Sequence, residues 1–253
     1  MDIVIIGSGN VAAVLGRKFK AAGHNILQIF SRNASAASEL AYEWDTESTN
    51  YKSLINKNAD VYIVAVSDDA IDDIANNLKL PGKVVAQTAA SVPKEVLENV
   101  TNHYGVFYPL QSLRKEMKTI PDFPVFFDGC DDISKKTLEK LAHSITKENV
   151  TEAGNDERLK LHVAAVFVSN FVNHLYALAA AYCRKEGIDF RQLWPLIEET
   201  ASRVKDVSPN SAQTGPAIRH DSETIHKHLE LLKEHPQLKT LYVLLTESIQ
   251  QVK

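Results

Sequence analysis

A chain of 253 residues, 44% hydrophobic and 24% charged, has the balance of an ordinary globular protein and can hold one large domain or two modest ones. Its net charge of −4 offers no electrostatic footprint for nucleic acid or an anionic membrane, and neither is expected as a partner. Cys130 and Cys183 are too few for a disulfide framework and sit in no metal-ligand spacing. No metal site is expected, and a reducing cytoplasm fits. The first strand begins at Asp2, so no leader segment is expected ahead of it.

The β-branched run Ile3-Val4-Ile5-Ile6 opens directly into Gly7-Ser8-Gly9-Asn10-Val11-Ala12, and an apolar-periodic segment through Val14, Leu15 and Phe19 follows. Strand, G-x-G-x-x-A turn and helix in that order form the context the dinucleotide fingerprint requires. Gly7 permits the turn, Gly9 lets main-chain N–H groups approach a pyrophosphate, and Ala12 keeps the helix against the sheet. The phosphate then meets a helix N-terminus, whose unpaired N–H groups and dipole favour an anion. Ser8, Asn10 and Val11 complete this part of the expected cofactor site.

Residues 25–30 read as a second strand and 34–42 as a helix. An NAD site places Asp or Glu at the end of that strand, about 20 residues past the glycines. Here the strand ends Phe30-Ser31-Arg32-Asn33, without an acid. Ser31 can donate to a ribose 2′-phosphate and Arg32 can pair with it, which favours NADP. A solvated loop arginine is the plainer alternative.

Residues 60–66 form a continuous apolar run, as in a strand covered on both faces, and 68–78 read as a helix capped by Ser67 or Asp68. Val66 and Ser67 fall on the edge where open α/β sheets bind ligands. Residues 83–87 are a further strand, with Thr88 and Ser91 beyond it as candidate polar groups near the nicotinamide. A short helix starts near Pro93, residues 105–108 and 125–127 are short strands, and 134–145 is a helix. Tyr108-Pro109-Leu110-Gln111-Ser112 presents its amides, Gln111 and Ser112 to the same edge, or is a plain turn. The repeated βα units predict a Rossmann-type, doubly wound parallel sheet over residues 1–153.

Past Gly154 no strand pattern remains. Helical periodicity covers 156–185, 190–205, 222–234 and 238–252, and predicts an all-helical domain over 154–253. The apolar stretch between Val163 and Cys183 is interrupted by Ser169, Asn170, Asn173 and His174, so it reads as a buried helix rather than a membrane span. On a wheel of about 100° per residue, His162, Val166, Ser169, Asn173 and Tyr176 share one stripe, with Asn170 and His174 beside it. Buried polar groups need partners, so the stripe marks a cleft or a hydrogen-bonded interface. His162 and His174 are the candidate proton donors and Asn170 the group that orients substrate; histidines satisfied in a core or dimer contact are the alternative. So apolar a helix needs more cover than a small domain provides, which predicts a homodimer. Arg219 can clamp a substrate carboxylate, or be locked to Asp221 as a structural pair.

Five stretches together resemble one known family: 7–12, 65–71, 108–112, 161–170, and 215–221 with its trailing His228-Leu229. They are similar to bacterial Rossmann-like proteins carrying the C-terminal domain of unknown function 2520, distant relatives of pyrroline-5-carboxylate reductase and the β-hydroxyacid dehydrogenases. The resemblance implies an NADP-binding N-terminal domain, a helical dimerisation domain and a cleft between them. His220 stands where family members usually have glycine, and Gln87 where many have histidine. The β-hydroxyacid dehydrogenases carry a lysine one turn before an asparagine, where this chain has Val166 before Asn170, so their proton relay does not transfer. The expected function is an NADP(H)-dependent oxidoreductase acting on a small carbonyl, imine, hydroxy- or amino-acid-like substrate. Its alternatives are a non-catalytic NADP-binding regulatory or scaffold protein and a deazaflavin (F420)-linked NADP reductase.

Overall fold

The computed structural model describes residues 1–251, so Val252, where the last helix was expected to end, lies outside the described residues. The chain divides into two compact units, Met1–Ser169 and Asn170–Lys253.

The first unit holds eight strands: β1 (Asp2–Ile6), β2 (Asn25–Phe30), β3 (Glu47–Thr49), β4 (Val61–Val64), β5 (Val84–Gln87), β6 (His103–Pro109), β7 (Val125–Gly129) and β8 (Val150–Glu152). They form one sheet in the order β3-β2-β1-β4-β5-β6-β7-β8. Four α-helices connect them: α1 (Asn10–Ala21), α2 (Ala34–Trp44), α3 (Asp68–Asn77) and α4 (Asp132–Ile145). Alternation along β1 explains the layering. Ile3 and Ile5 join the core under α1, α2 and α4, with Phe19, Trp44 and Leu141. Val4 and Ile6 face the opposite core with Ile74 of α3 and Leu97. Both faces are covered, as a parallel sheet requires.

Two features differ from the parallel sheet read in the sequence. β7 runs antiparallel to β6, while every other neighbouring pair is parallel. A parallel neighbour needs a crossover, usually a helix, and residues 110–124 between these strands form none. β3 and β8 are three-residue pieces, Glu-Ser-Thr and Val-Thr-Glu, too short and polar to carry a hydrophobic period.

After β8 the chain is helical: α5 (Asn155–Ala165), a π-turn (Val166–Phe171), α6 (Val172–Lys185), α7 (Trp194–Arg203), α8 (Pro209–Ala212), α9 (Ser222–Leu231) and α10 (Pro236–Gln251). The π-turn corrects the helical wheel. A π-turn holds more residues than an α-turn, so the stripe from His162 through Val166 to Tyr176 does not continue at one period. Residues 190–205 are not one helix either. A 3-10 turn, Phe190–Leu193, precedes α7, and Pro195 in the first turn of α7 marks the new start. In the second unit Cys183, Ala217 and Leu232 are the buried residues among those described.

The continuous helix Asn155–Lys185 is long and apolar enough to cross a membrane by length and composition, with mean hydropathy 1.5 over its most apolar window. None of that window is buried within the chain. The expectation of a buried helix therefore fails for a single chain: residues such as Val163 and Val168 are exposed.

Candidate functional site: a groove at the switch point of the sheet

The sheet order reverses between β1 and β4, and connections leave these strands toward opposite faces. Ligands bind open α/β sheets at such a point. Here lies a cleft of about 490 Å³ lined by residues 7–11, 30–33, 65–67, Ala70, Asp73 and Ile74.

Its floor is the glycine turn, and the two glycines have different reasons to be there. Gly7 has φ +127°, and a Cβ on it would stand 2.1 Å from the Ala65 carbonyl oxygen. It is fixed by the fold, since its N–H donates to Phe30 O at 2.8 Å while Ala65 N–H donates to Ile6 O at 2.7 Å. Gly9 has φ −83° and ψ −170°, which any residue can adopt, and a Cβ there would meet nothing within 4 Å. The space it leaves is open groove. Gly9 caps α1 without a side-chain cap bond, and the first turn of α1 contains no acidic residue. The N-terminal N–H groups and the helix dipole are thus left for an anion.

The wall at the end of β2 carries the 2′-phosphate candidates. The Ser31 hydroxyl is buried, lies 2.7 Å from Ser8 Oγ, and accepts the Asn33 N–H at 3.2 Å. That network ties the two loops together and orients Ser31. Arg32 is exposed at the rim and, among the described residues, forms no ion pair. Its charge is felt by Asp73, whose carboxyl is held below its ordinary value first by a hydrogen bond from Lys52, with Arg32 contributing. A dinucleotide fits this groove: it offers open main-chain donors to a diphosphate and a free guanidinium to a further phosphate.

Of the expected cofactor residues, Gly7, Ser8, Gly9, Asn10, Val11, Ser31, Arg32, Val66 and Ser67 line the groove, and Thr88 and Ser91 do not. The Thr88 hydroxyl is turned into the sheet, donating to Val64 O at 3.4 Å, and Ser91 donates to Asp68.

Beyond β5 and β6, on the same edge, a second cluster forms. The Tyr108 hydroxyl lies 3.0 Å from His162 Nδ1. Burial pushes the Tyr108 phenol up, and the Arg158 charge opposes that. Arg158 is 1% exposed. Its Nε donates to Ala90 O at 3.1 Å, and one Nη donates to Val92 O at 3.0 Å and Asn155 Oδ1 at 2.8 Å. Its other terminal nitrogen, Nη1, is buried without a partner. Gln87 grips the same 88–92 loop from the sheet side, donating to Val92 O at 2.7 Å. Arg158 was absent from the residues singled out in the sequence, as was the Tyr108 side chain. The signal was available: Arg158 and His162 are four apart on one helix and share a face.

In the second unit, Asn170, His174 and Arg219 are exposed, and no hydrogen bond or ion pair joins them among the described residues. The Arg219–Asp221 pair does not form. Asp221 caps α9 instead, accepting from Thr224 N–H at 3.0 Å and Thr224 Oγ1 at 2.8 Å. Those bonds hold its carboxyl below the usual range, with Arg219 adding a smaller effect. His220 takes φ +52°, the left-handed backbone that a glycine adopts freely.

Fold and groove together define a Rossmann-type nucleotide-binding protein with a helical C-terminal region. The profile described as "Domain of unknown function (DUF2520)" matches residues 123–249, and the chain belongs to that family. The profile described as "NADP oxidoreductase coenzyme F420-dependent" matches residues 2–91. A Bacteroides fragilis structure, described as a candidate NADP oxidoreductase, is 37% identical with TM-score 0.93, over 99% of this chain and 98% of that one. An imine reductase of Myxococcus stipitatus in complex with NADP+ shares the fold at TM-score 0.69 and 15% identity, covering 99% and 93%. So does a 1-pyrroline-5-carboxylate reductase of Streptococcus pyogenes, at TM-score 0.64 and 15% identity, covering 100% and 99%. Among curated proteins none matches. The chain stands among the NADP oxidoreductases.

Proposed function

We propose that this protein is an NADPH-dependent reductase of the pyrroline-5-carboxylate and imine reductase type, acting on a small C=N or C=O substrate that carries a carboxylate. The observation that carries the reading is the groove: an unobstructed Gly9 before an uncapped helix N-terminus, with unpaired Arg32 where an NAD site has an acid. Bound there, the nicotinamide supplies hydride. The chain must deliver a proton, and His162 and His174 are the candidate sources, with Asn170 orienting the substrate and Arg219 holding its carboxylate. The test is NADPH oxidation with 1-pyrroline-5-carboxylate, other cyclic imines and small keto acids. Turnover of at least one, reduced by His162→Ala and His174→Ala together, supports the assignment; turnover untouched by that pair contradicts it. NADPH binding with no turnover of any would favour the non-catalytic reading, to which Val166 in place of a lysine lends weight.

The same reading includes a homodimer. The second unit buries three of its described residues, too few for a helical domain to stand alone, and the continuous helix Asn155–Lys185 leaves an apolar window uncovered. A second copy of the chain is the occupant that a closed symmetric interface implies. Sedimentation at micromolar concentration should give twice the chain mass; a detergent-dependent monomer would contradict it. The two cysteines, both free, fit a cytoplasmic location.

A further inference from the structure

Tyr108, His162 and Arg158 form an arrangement that a purely structural role leaves incomplete. A buried arginine ordinarily has a carboxylate beside it, because an unpaired charge in a low dielectric is costly. The carboxylate that acts on it most strongly, Asp128, is already held by Lys94 at 2.7 and 2.8 Å. Arg158 spends three donors on the 88–92 loop and Asn155, and keeps Nη1 buried and unspent. Its charge acts on the Tyr108 oxygen. That oxygen, on a residue 9% exposed, also meets the ring of His162, which is only half-buried. Asp128 and Glu95 both act on the Arg158 charge. The phenol thus contacts an imidazole in reach of water and feels the charge of a fixed cation, at the end of β6 on the ligand-binding edge of the sheet.

We propose that Tyr108 is the proton-donating residue of the reduction, with His162 as its proton supply and Arg158 as a positioning residue that offsets charge on the phenol oxygen. This rests on the reductase reading above. As hydride reaches the substrate carbon, the C=N or C=O π bond breaks. Its electron pair takes the Tyr108 hydroxyl proton at nitrogen or oxygen. The phenolate left behind takes the Nδ1 proton of His162, and the ring takes one at Nε2 from water. Arg158 stabilises the phenolate between those two transfers, which its fixed position allows without reorganisation.

The decisive experiment needs no substrate. Protein labelled with ¹³C at tyrosine Cζ, with the Tyr108 resonance assigned by Tyr108→Phe, is titrated with pH in its NADP+ and NADPH complexes. The two complexes differ in the positive charge of the nicotinamide ring. A unit charge about 6 Å away at an effective dielectric near 20 would lower a phenol pKa by about 2 units. A shift of about one unit or more, lower with NADP+, is expected. Identical titration, or a Tyr108 that stays protonated in both complexes throughout, overturns the proposal.

Turnover supplies the second arm, with 1-pyrroline-5-carboxylate as probe. Tyr108→Phe should lower kcat about 100-fold or more while calorimetric NADPH affinity stays at the wild-type value. His162→Gln should lower kcat less, and added imidazole should restore part of it. Tyr108→Phe turning over at the wild-type rate overturns this proposal alone. Failure of NADPH to bind, or of the wild type to turn over any of the cyclic imines and keto acids named above, overturns the reductase reading and this proposal with it.

Discussion

Two glycines two residues apart should respond to alanine in opposite ways. In Gly7→Ala the new methyl meets the Ala65 carbonyl oxygen at 2.1 Å and the Ala65 carbonyl carbon at 2.7 Å, on a backbone held at φ +127°. Both obstructing atoms are backbone of Ala65, the residue that follows β4, so neither can swing aside. Strain at such a φ costs about 1–3 kcal/mol, and overpacking adds about 1–3 kcal/mol. In a chain of this size, that lowers Tm by on the order of 10 °C. In Gly9→Ala the methyl meets nothing within 4 Å on a backbone alanine accepts, so stability should hold or rise by about 0.4–1 kcal/mol. The methyl instead fills the path by which a diphosphate reaches the first turn of α1. Losing one charge-assisted hydrogen bond there costs about 1.5–3 kcal/mol, or roughly 10- to 100-fold in affinity. Thermal melts with calorimetric NADPH titration of both variants separate the effects. A Gly9→Ala protein that binds NADPH like the wild type would mean that no diphosphate enters beside Gly9, and a Gly7→Ala protein that melts with the wild type would mean that the Ala65 backbone gives way.

Other expectations are more local. Arg32→Ala should weaken NADPH by roughly 10- to 100-fold and leave NADH nearly unchanged, read by the same titration. His220→Gly should raise stability by about 0.5 kcal/mol, the relief of left-handed strain less the added chain entropy, whereas His220→Ala should give no such gain in a denaturant titration. His24 is held neutral chiefly by burial, with Lys140 contributing, so its folded pKa lies below its ordinary value. The unfolded chain therefore takes up that proton first as pH falls, and stability drops below about pH 6.5; Tm against pH should flatten in His24→Gln.

The nucleotide-binding half was legible because its signals are local. β1 is five residues of pattern followed at once by the turn chemistry that demands it, and β2 begins and ends where the sequence placed it. β3 and β8 were invisible because an edge strand of three residues is held by its neighbour's hydrogen bonds rather than by its own apolar face. β7 was found, but its direction was not, although the absence of a helix between Tyr108 and Val125 carried that information. The π-turn defeated the wheel, since nothing in Val166-Phe167-Val168-Ser169 departs from helical composition. Arg158 was passed over because it follows Asn155-Asp156-Glu157, a run that reads as a solvated first turn; only the fold puts the Ala90 and Val92 carbonyls beside it. Polar groups that matter through distant partners are not written in periodicity.

NADP binding by the main-chain amides of the turn after β1, with Arg32 reading the 2′-phosphate, is measured by parallel calorimetric titrations of NADPH and NADH into the wild-type chain. Saturable binding of one NADPH per chain, at least about tenfold tighter than NADH, is the predicted result; no heat with either nucleotide, or equal affinity for both, would contradict it.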